Sequence, residues 1–358
     1  MIRQYRKIYK LKYYHFGLVL LTLALTLAGI LLIGSARASV QNRQIAGLIA
    51  GLVIMVVVSL SDYTLIMNMG WMLYLINIVL LISVRVAGSV AGGAGRWLQI
   101  GGFRFQGIAL LLIGLVCVLI LGQPDLSTTI VVFWIYINIL FLSGVSYKIL
   151  GKMFAGFGVC AAGAIFLVTR PNQQLLDTYQ YERIMAWLNP SEWSQEAYQQ
   201  QNSMMAIGSG GFSGKGLNNN SPLSVKNGGF LPEPHTDFIM AVAGEELGYA
   251  GVLLIILLLL LIILCCVVIG IRTKDVVGKM ICGGVAAFIG GQAFINLCVV
   301  TGLMPNTGLT LPFVSYGLTS LLSCFAGIGL VLNVEINRKT TLELKRRLKK
   351  GRNRIGRL

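Results

Sequence analysis

Nine stretches of this 358-residue chain are apolar for long enough to cross a lipid bilayer, roughly 17–37, 45–61, 63–84, 105–122, 127–146, 153–169, 237–271, 280–303 and 311–334. A hydrocarbon core about 30 Å thick takes about 17 to 25 apolar residues as a helix. The helix is favoured because lipid offers no partner for backbone N–H and C=O groups, so each crossing must satisfy its own. Composition agrees: 56% of residues are hydrophobic and 12% charged, against about 25% charged in soluble domains. The chain therefore reads as an all-α polytopic integral membrane protein. Its first run is too long, and too similar to its successors, for a cleavable signal peptide.

The formal net charge of +16 is concentrated at the ends. Arg3, Arg6, Lys7, Lys10 and Lys12 precede the first run, and "NRKTTLELKRRLKKGRNRIGRL" follows the last. Basic ends beside membrane spans read as cytoplasmic anchors against anionic lipid, and nucleic acid is not expected as a partner. Nine crossings would put those ends on opposite sides, so a tenth crossing or one run that does not cross is required. All seven cysteines fall in apolar runs and read as packing residues.

The chain divides into a basic N-terminus (1–16), N-terminal spans (17–169), a large loop (170–236), C-terminal spans (237–334) and a basic tail (335–358). Within the loop, Pro190, Ser191 and Glu192 read as the start of an amphipathic helix that continues through "QEAYQQQNSMMAIG". The following "GSGGFSGKGLNNN" lacks the spacing of a Walker loop, with Ser209 and Gly216 where glycine and Ser or Thr are needed. Two readings stay open for it: a close-approach loop offering Lys215 to a phosphate or pyrophosphate, or a plain mobile loop. Between Met280 and Val334 there is no charged residue, and "TGLMPNTGLTLPFVSYG" interrupts that block as the turn of a helical hairpin. Broken backbone at membrane depth persists only where it is buried in protein or lines a cavity.

Titratable groups are scarce, 13 acids and two histidines, yet Glu233, His235, Asp237, Glu245 and Glu246 cluster in "LPEPHTDFIMAVAGEELG" at the mouth of a very apolar run. Partial desolvation of Asp237 would raise its carboxyl from a reference near 3.9 toward that of a working general base. The competing reading makes Thr236 and Asp237 helix caps. If the segment is one helix, Asp237, Gly244 and Gly248 lie near one face, open to a second element. Glu245 and Glu246 fall where an ionised group needs a cavity or a cationic partner. Asp125 reads as a cap, Arg96 and Trp97 as an interfacial pair, and His15 as structural.

Taken together, "GAGRW", "FRFQ", "QPDLSTT", "ERIMAWLNP", "YQQQNSMMAIGSGGFSGKGL", "FLPEPHTDFIMAVAGEELGYAG" and "TGLMPNTGLTLPFVSYG" resemble, in order, the shape, elongation, division and sporulation family. These are the RodA/FtsW/SpoVE-type peptidoglycan polymerases, and the N-terminal sequence looks more like the elongation type. The resemblance implies a bundle of about nine to ten transmembrane helices with one large extracytoplasmic loop, in the bacterial cytoplasmic membrane. It implies polymerisation of lipid II, with Asp237 as the essential residue and a class B penicillin-binding transpeptidase as partner. Lys215 and Arg183 are the candidates to neutralise pyrophosphate, helped by a divalent cation (Mg or Mn) rather than a tightly bound cofactor. His235, Glu233, Trp97, Glu245 and Ser315 complete the candidate substrate-binding set, without a protein-bound metal.

The chain departs from the family pattern at 105–109, where "FQGIA" stands for an expected "FQPSE", and only Gly107 to Gly122 separates that motif from "QPDL". Room for one crossing remains where the family has two, which accounts for the odd count. A lipid-linked-precursor transporter, or a scaffold that binds its transpeptidase without catalysis, are the alternative functions.

Overall fold

The computed structural model describes residues 13–61, 126–168, 178–219 and 227–355, with isolated positions between them. Among these the regular structure is α-helical, without strands: α1 (Phe16–Ala36), α2 (Ala38–Leu60), α3 (Leu126–Leu142), α4 (Tyr147–Val168), α5 (Thr178–Leu188), α6 (Ser194–Ser209), α7 (Ile239–Arg272), α8 (Val276–Val300) and α9 (Leu318–Ile355). Five segments are long and apolar enough to cross a membrane: α1, α2, α7, α8 and α9 up to Thr340. The crossings expected at 63–84 and 105–122, together with Trp97 and Asp125, lie outside the described residues.

Helices α1 and α2 are separated only by Arg37, in extended backbone. His15 starts α1 as a cap, its Nδ1 accepting the Leu18 amide at 3.1 Å. The second helix begins at Ala38, earlier than the apolar run suggests, because the polar residues at its start are bonded inward. Gln41 donates to the Ile30 carbonyl (3.2 Å) and Gln44 to that of Ser315 (3.1 Å). The α2–α9 pair packs closely: a Cβ on Gly51 would stand 2.4 Å from the Phe325 ring, the small-residue contact that membrane helices use in place of a hydrophobic driving force. Asn333 of α9 donates to the Val58, Ser59 and Ser61 carbonyls, closing the end of α2.

The segment from Ile239 to Arg272 is not one continuous helix. At Gly248 the backbone turns to φ 66°, ψ −167°, so the single-face expectation for Asp237, Gly244 and Gly248 is replaced by two helices meeting at a break. The 24 residues after it would rise roughly 36 Å, one bilayer crossing. The residues before it, Ile239 to Glu246, are all buried in protein. A straight helix would hydrogen-bond Tyr249 N–H to the Glu245 carbonyl and Ala250 N–H to that of Glu246. Both bonds are lost, and the glycine-rich loop supplies all four replacements. Lys215 N–H donates to Glu245 O (2.9 Å), Gly216 N–H to Glu246 O (3.0 Å), Tyr249 N–H to Gly211 O (2.9 Å) and Ala250 N–H to Phe212 O (3.1 Å). "GSGGFSGKG" is thus a strap in close approach to a broken helix, the close approach being one of the two readings left open for it and the plain loop the one set aside.

The loop helix starts later than expected. Residues 190–193 form a turn, with the Glu192 and Trp193 amides bonded to the Asn189 carbonyl, and α6 begins at Ser194. The chain reverses there from α5, a helix the sequence reading did not identify, and the Trp193 ring meets Tyr181 edge-on, 5.6 Å between centroids.

The strap makes a graded prediction. A Cβ on Gly214, at φ +76°, would lie 2.1 Å from the Glu246 carbonyl oxygen, whereas one on Gly211, at φ +57°, meets nothing within 4 Å. Gly211→Ala should cost about 1 kcal/mol of left-handed strain. Gly214→Ala should cost about 3 kcal/mol or more, because the strap must lift and expose carbonyls. Melting midpoints of the two purified variants check the order.

Candidate functional site

The HTD segment ends at a helix whose N-cap position is Phe238, not Thr236 or Asp237, and that cap has no side-chain hydrogen bond. Thr236 instead turns its hydroxyl back onto the Glu233 carbonyl, at 2.9 Å. The Asp237 carboxylate, half-buried, comes to the loop between α8 and α9. Its Oδ2 lies 3.5 Å from where a Cβ on Gly308 would stand, and Arg183 Nη1 lies 3.6 Å from the same point. Two residues 54 positions apart in sequence, from α5 and the mouth of α7, therefore converge over one glycine.

Four helices hold that convergence. Arg183 donates to the Asn306 carbonyl at 3.1 Å. Helices α5 and α6 are pinned beneath by Trp187 to the Gly302 carbonyl (2.9 Å), Gln200 to those of Val299 and Met304 (2.7 Å each) and Ser203 to that of Val300 (3.0 Å). From α8, Asn296 donates to the carbonyls of Asp237 (2.8 Å) and Leu309 (2.6 Å). Ser127 of α3 donates to the Thr307 carbonyl. Ser315 is buried and serves the same loop: its hydroxyl accepts the Leu311 amide at 2.8 Å. It closes a turn in which Phe313 sits at φ 66°, a conformation costing about 1 kcal/mol that persists because its surroundings fix it.

His235 is buried, and its carbonyl accepts the Tyr316 amide at 2.9 Å. Its Nε2 lies 3.2 Å from Glu233 Oε2, and Glu233 in turn is 3.5 Å from Arg37 Nη1. Burial lowers the imidazole pKa from 6.5, and nearby Arg37 lowers it further, while Glu233 pulls upward and loses. Burial favours the neutral ring, whose Nε2 faces Glu233. Its Nδ1, like Asn296 Oδ1 and Thr307 Oγ1, is buried with no hydrogen-bond partner among the described residues. The unfilled acceptors on His235, two residues before Asp237, and on Thr307, next to Gly308, suit a ligand bearing hydroxyl or amide N–H groups. Among the described residues no three His, Cys, Asp or Glu side chains group as metal ligands, and His235 and Glu233 are engaged with each other.

Lys215 and Glu245 form a buried pair, Nζ to Oε1 2.8 Å, with Glu245 2% and Lys215 34% exposed. This is the cationic partner that Glu245 needs at that depth. Glu246, equally buried, accepts from Ser35 of α1 at 2.6 Å. The structure therefore groups Asp237 with Arg183 at Gly308, and His235 with Glu233 and Arg37, while Lys215 and Glu245 brace the strap. Sequence reasoning missed Asn296, Arg37 and Ser35. Asn296 left one signal, an amide in a helix from the charge-free block.

With this geometry in place, the comparisons with known proteins place the chain. The family model described as "Cell cycle protein", covering FtsW, RodA and SpoVE, matches residues 5–117 and 107–340. The chain is a multi-pass membrane protein of the FtsW/RodA/SpoVE family. It is 34% identical over 355 residues to "Peptidoglycan glycosyltransferase MrdB" of Escherichia coli K12, covering 90% of this chain and 93% of that protein. To "Probable peptidoglycan glycosyltransferase FtsW" of Bacillus subtilis it is 31% identical, covering 90% and 87%. Among solved structures it matches a chain from "Structural coordination of polymerization and crosslinking by a peptidoglycan synthase complex", with TM-score 0.74, 27% identity and coverage of 91% and 98%. Thermus thermophilus RodA matches with TM-score 0.65, 25% identity and coverage of 91% and 97%. The two stretches matched by the family model overlap at 107–117, where the sequence departs from the family pattern.

Two outcomes follow from the electrostatics. Lys215→Met leaves Glu245 buried without its cation and should cost about 2–3 kcal/mol; adding Glu245→Gln should recover most of it, read by melting midpoints of both variants. For His235 the folded pKa lies below 6.5, so the unfolded chain takes up the proton first. Stability is therefore full above pH 6.5 and falls as pH drops below it, levelling off beneath the folded pKa. His235→Gln should show a smaller loss of melting temperature between pH 7.5 and 5.

Proposed function

We propose that this chain, a peptidoglycan glycosyltransferase of the FtsW/RodA/SpoVE family, joins lipid II units at the outer face of the cytoplasmic membrane with Asp237 as general base. The convergence of Asp237 Oδ2 and Arg183 Nη1 over Gly308 carries the reading. Asp237 removes the proton from the acceptor sugar 4-hydroxyl, and the resulting oxygen attacks the anomeric carbon of the lipid-linked donor. The bond to undecaprenyl pyrophosphate breaks with its electron pair on the phosphate oxygen, and the anomeric centre inverts. Arg183, held by Asn306, is the cation placed to meet that charge, as electrostatic stabilisation requires.

Lys215 is the second candidate cation, and reaching phosphate means giving up Glu245. A divalent cation, Mg or Mn, accompanies the pyrophosphate in this scheme. The unfilled acceptors on His235 and Thr307 suit sugar hydroxyls and N-acetyl N–H groups. Arg272, Lys274 and Lys279 lie between α7 and α8 or at their ends, away from the site. Their charge favours the cytoplasm, which puts the 170–236 loop outside. The partner is a class B penicillin-binding transpeptidase, in keeping with a structural neighbour that belongs to a peptidoglycan synthase complex.

Lipid II polymerisation by the purified protein with its transpeptidase tests this. Wild type should yield glycan strands, and Asp237→Asn should lower the rate roughly 10²–10⁴-fold, the range for removing a general base. No strands from a well-folded wild-type preparation that still binds the transpeptidase would favour the scaffold.

A further inference from the structure

We infer that Asn296 is a positioning residue for catalysis, one amide that sets Asp237 in register with Arg183; this rests on the reading of Asp237 as general base. Asn296 lies in α8 among Ile295, Leu297 and Phe294 and is 1% exposed. A polar side chain at such a place is costly unless it is bonded and is kept for a reason. Both its N–H groups are spent on backbone carbonyls from two different segments, Asp237 at 2.8 Å and Leu309 at 2.6 Å.

Those carbonyls belong to the candidate base and to the residue after Gly308. The clamp therefore ties the segment that carries the carboxylate to the turn over which it meets Arg183. Arg183 is held on the same turn through Asn306, whose side chain also bonds Gln199 (3.2 Å) and the Gly308 amide (3.3 Å). The base side of the site reaches this frame through Asn296, along with the Tyr316 to His235 backbone bond two residues earlier. Removing the amide frees Asp237 to drift from the turn, and a displacement near 1 Å of a catalytic group costs on the order of 10² in rate.

The bland role, filling two buried carbonyls for stability alone, makes different forecasts. Asn296→Leu, in the full-length protein with its transpeptidase, should reduce kcat for lipid II polymerisation by about ten- to a hundredfold per folded molecule. KM should stay within about twofold, because the loss falls on the reacting geometry and not on uniform binding. The acid limb of the pH–rate profile should shift as the surroundings of Asp237 change. Asn296→Gln, which keeps both donors on a longer arm, should recover part of kcat and return the limb toward wild type. Should the leucine variant fold poorly, Asn296→Ser, with one donor for two carbonyls, should give the same signature at smaller amplitude. Folded variants with wild-type kcat and an unmoved acid limb overturn the inference, as does a loss of activity that vanishes once misfolded protein is discounted. If Asp237→Asn is inactive while Asn296→Leu is normal, only this inference fails; if Asp237→Asn polymerises lipid II, the base reading itself is lost.

Discussion

The structure turns on a helix broken at Gly248 and mended by another part of the chain. Buried in protein, two carbonyls and two amides without partners would each cost about 1–3 kcal/mol, so the break is tolerable only with the strap in place. The strap's backbone exchanges two helical bonds for four bonds to the loop, and Lys215 adds a charge pair with Glu245 beneath it. This tie fixes the end of α6, which in turn is pinned to the α8–α9 loop, so the break and the convergence at Gly308 belong to one frame.

That frame explains how an apolar bundle accommodates so many carboxylates in one place. Each acid near the mouth of α7 has a distinct support: Glu245 has Lys215, Glu246 has Ser35, and Glu233 has His235 and Arg37. Asp237 is also fixed through its main chain, its carbonyl accepting from Asn296, and its carboxylate lies at the turn with Arg183. The neutral His235 beside it adds an acceptor without adding charge.

Much of this was readable from the residues, and what escaped has a common cause. The apolar runs found α1, α2, α7, α8 and α9 but not all their ends, since a bilayer rewards length and hydropathy that a single segment displays on its own. The HTD and GEELG segments stood out as a candidate site because carboxylates are rare in such a chain. The partners of those groups were hidden: Lys215 and Glu245 are 30 residues apart, Asp237 and Asn296 are 59 apart, and Ser35 and Glu246 are 211 apart. No local period encodes such pairings. The break at Gly248 was also hidden, since one glycine in a leucine-rich run looks like a tolerated substitution until the strap that completes it is seen.

The central claim is that sugar transfer takes place over Gly308, between Asp237 and Arg183. A structure of the protein with a non-polymerisable lipid II analogue in the acceptor position tests it most directly. The account predicts the sugar 4-hydroxyl within hydrogen-bond reach of the Asp237 carboxylate, about 3 Å, with the donor pyrophosphate position open to Arg183. A bound sugar whose 4-hydroxyl meets Glu245 or Glu246 instead, with Asp237 remote, would contradict it.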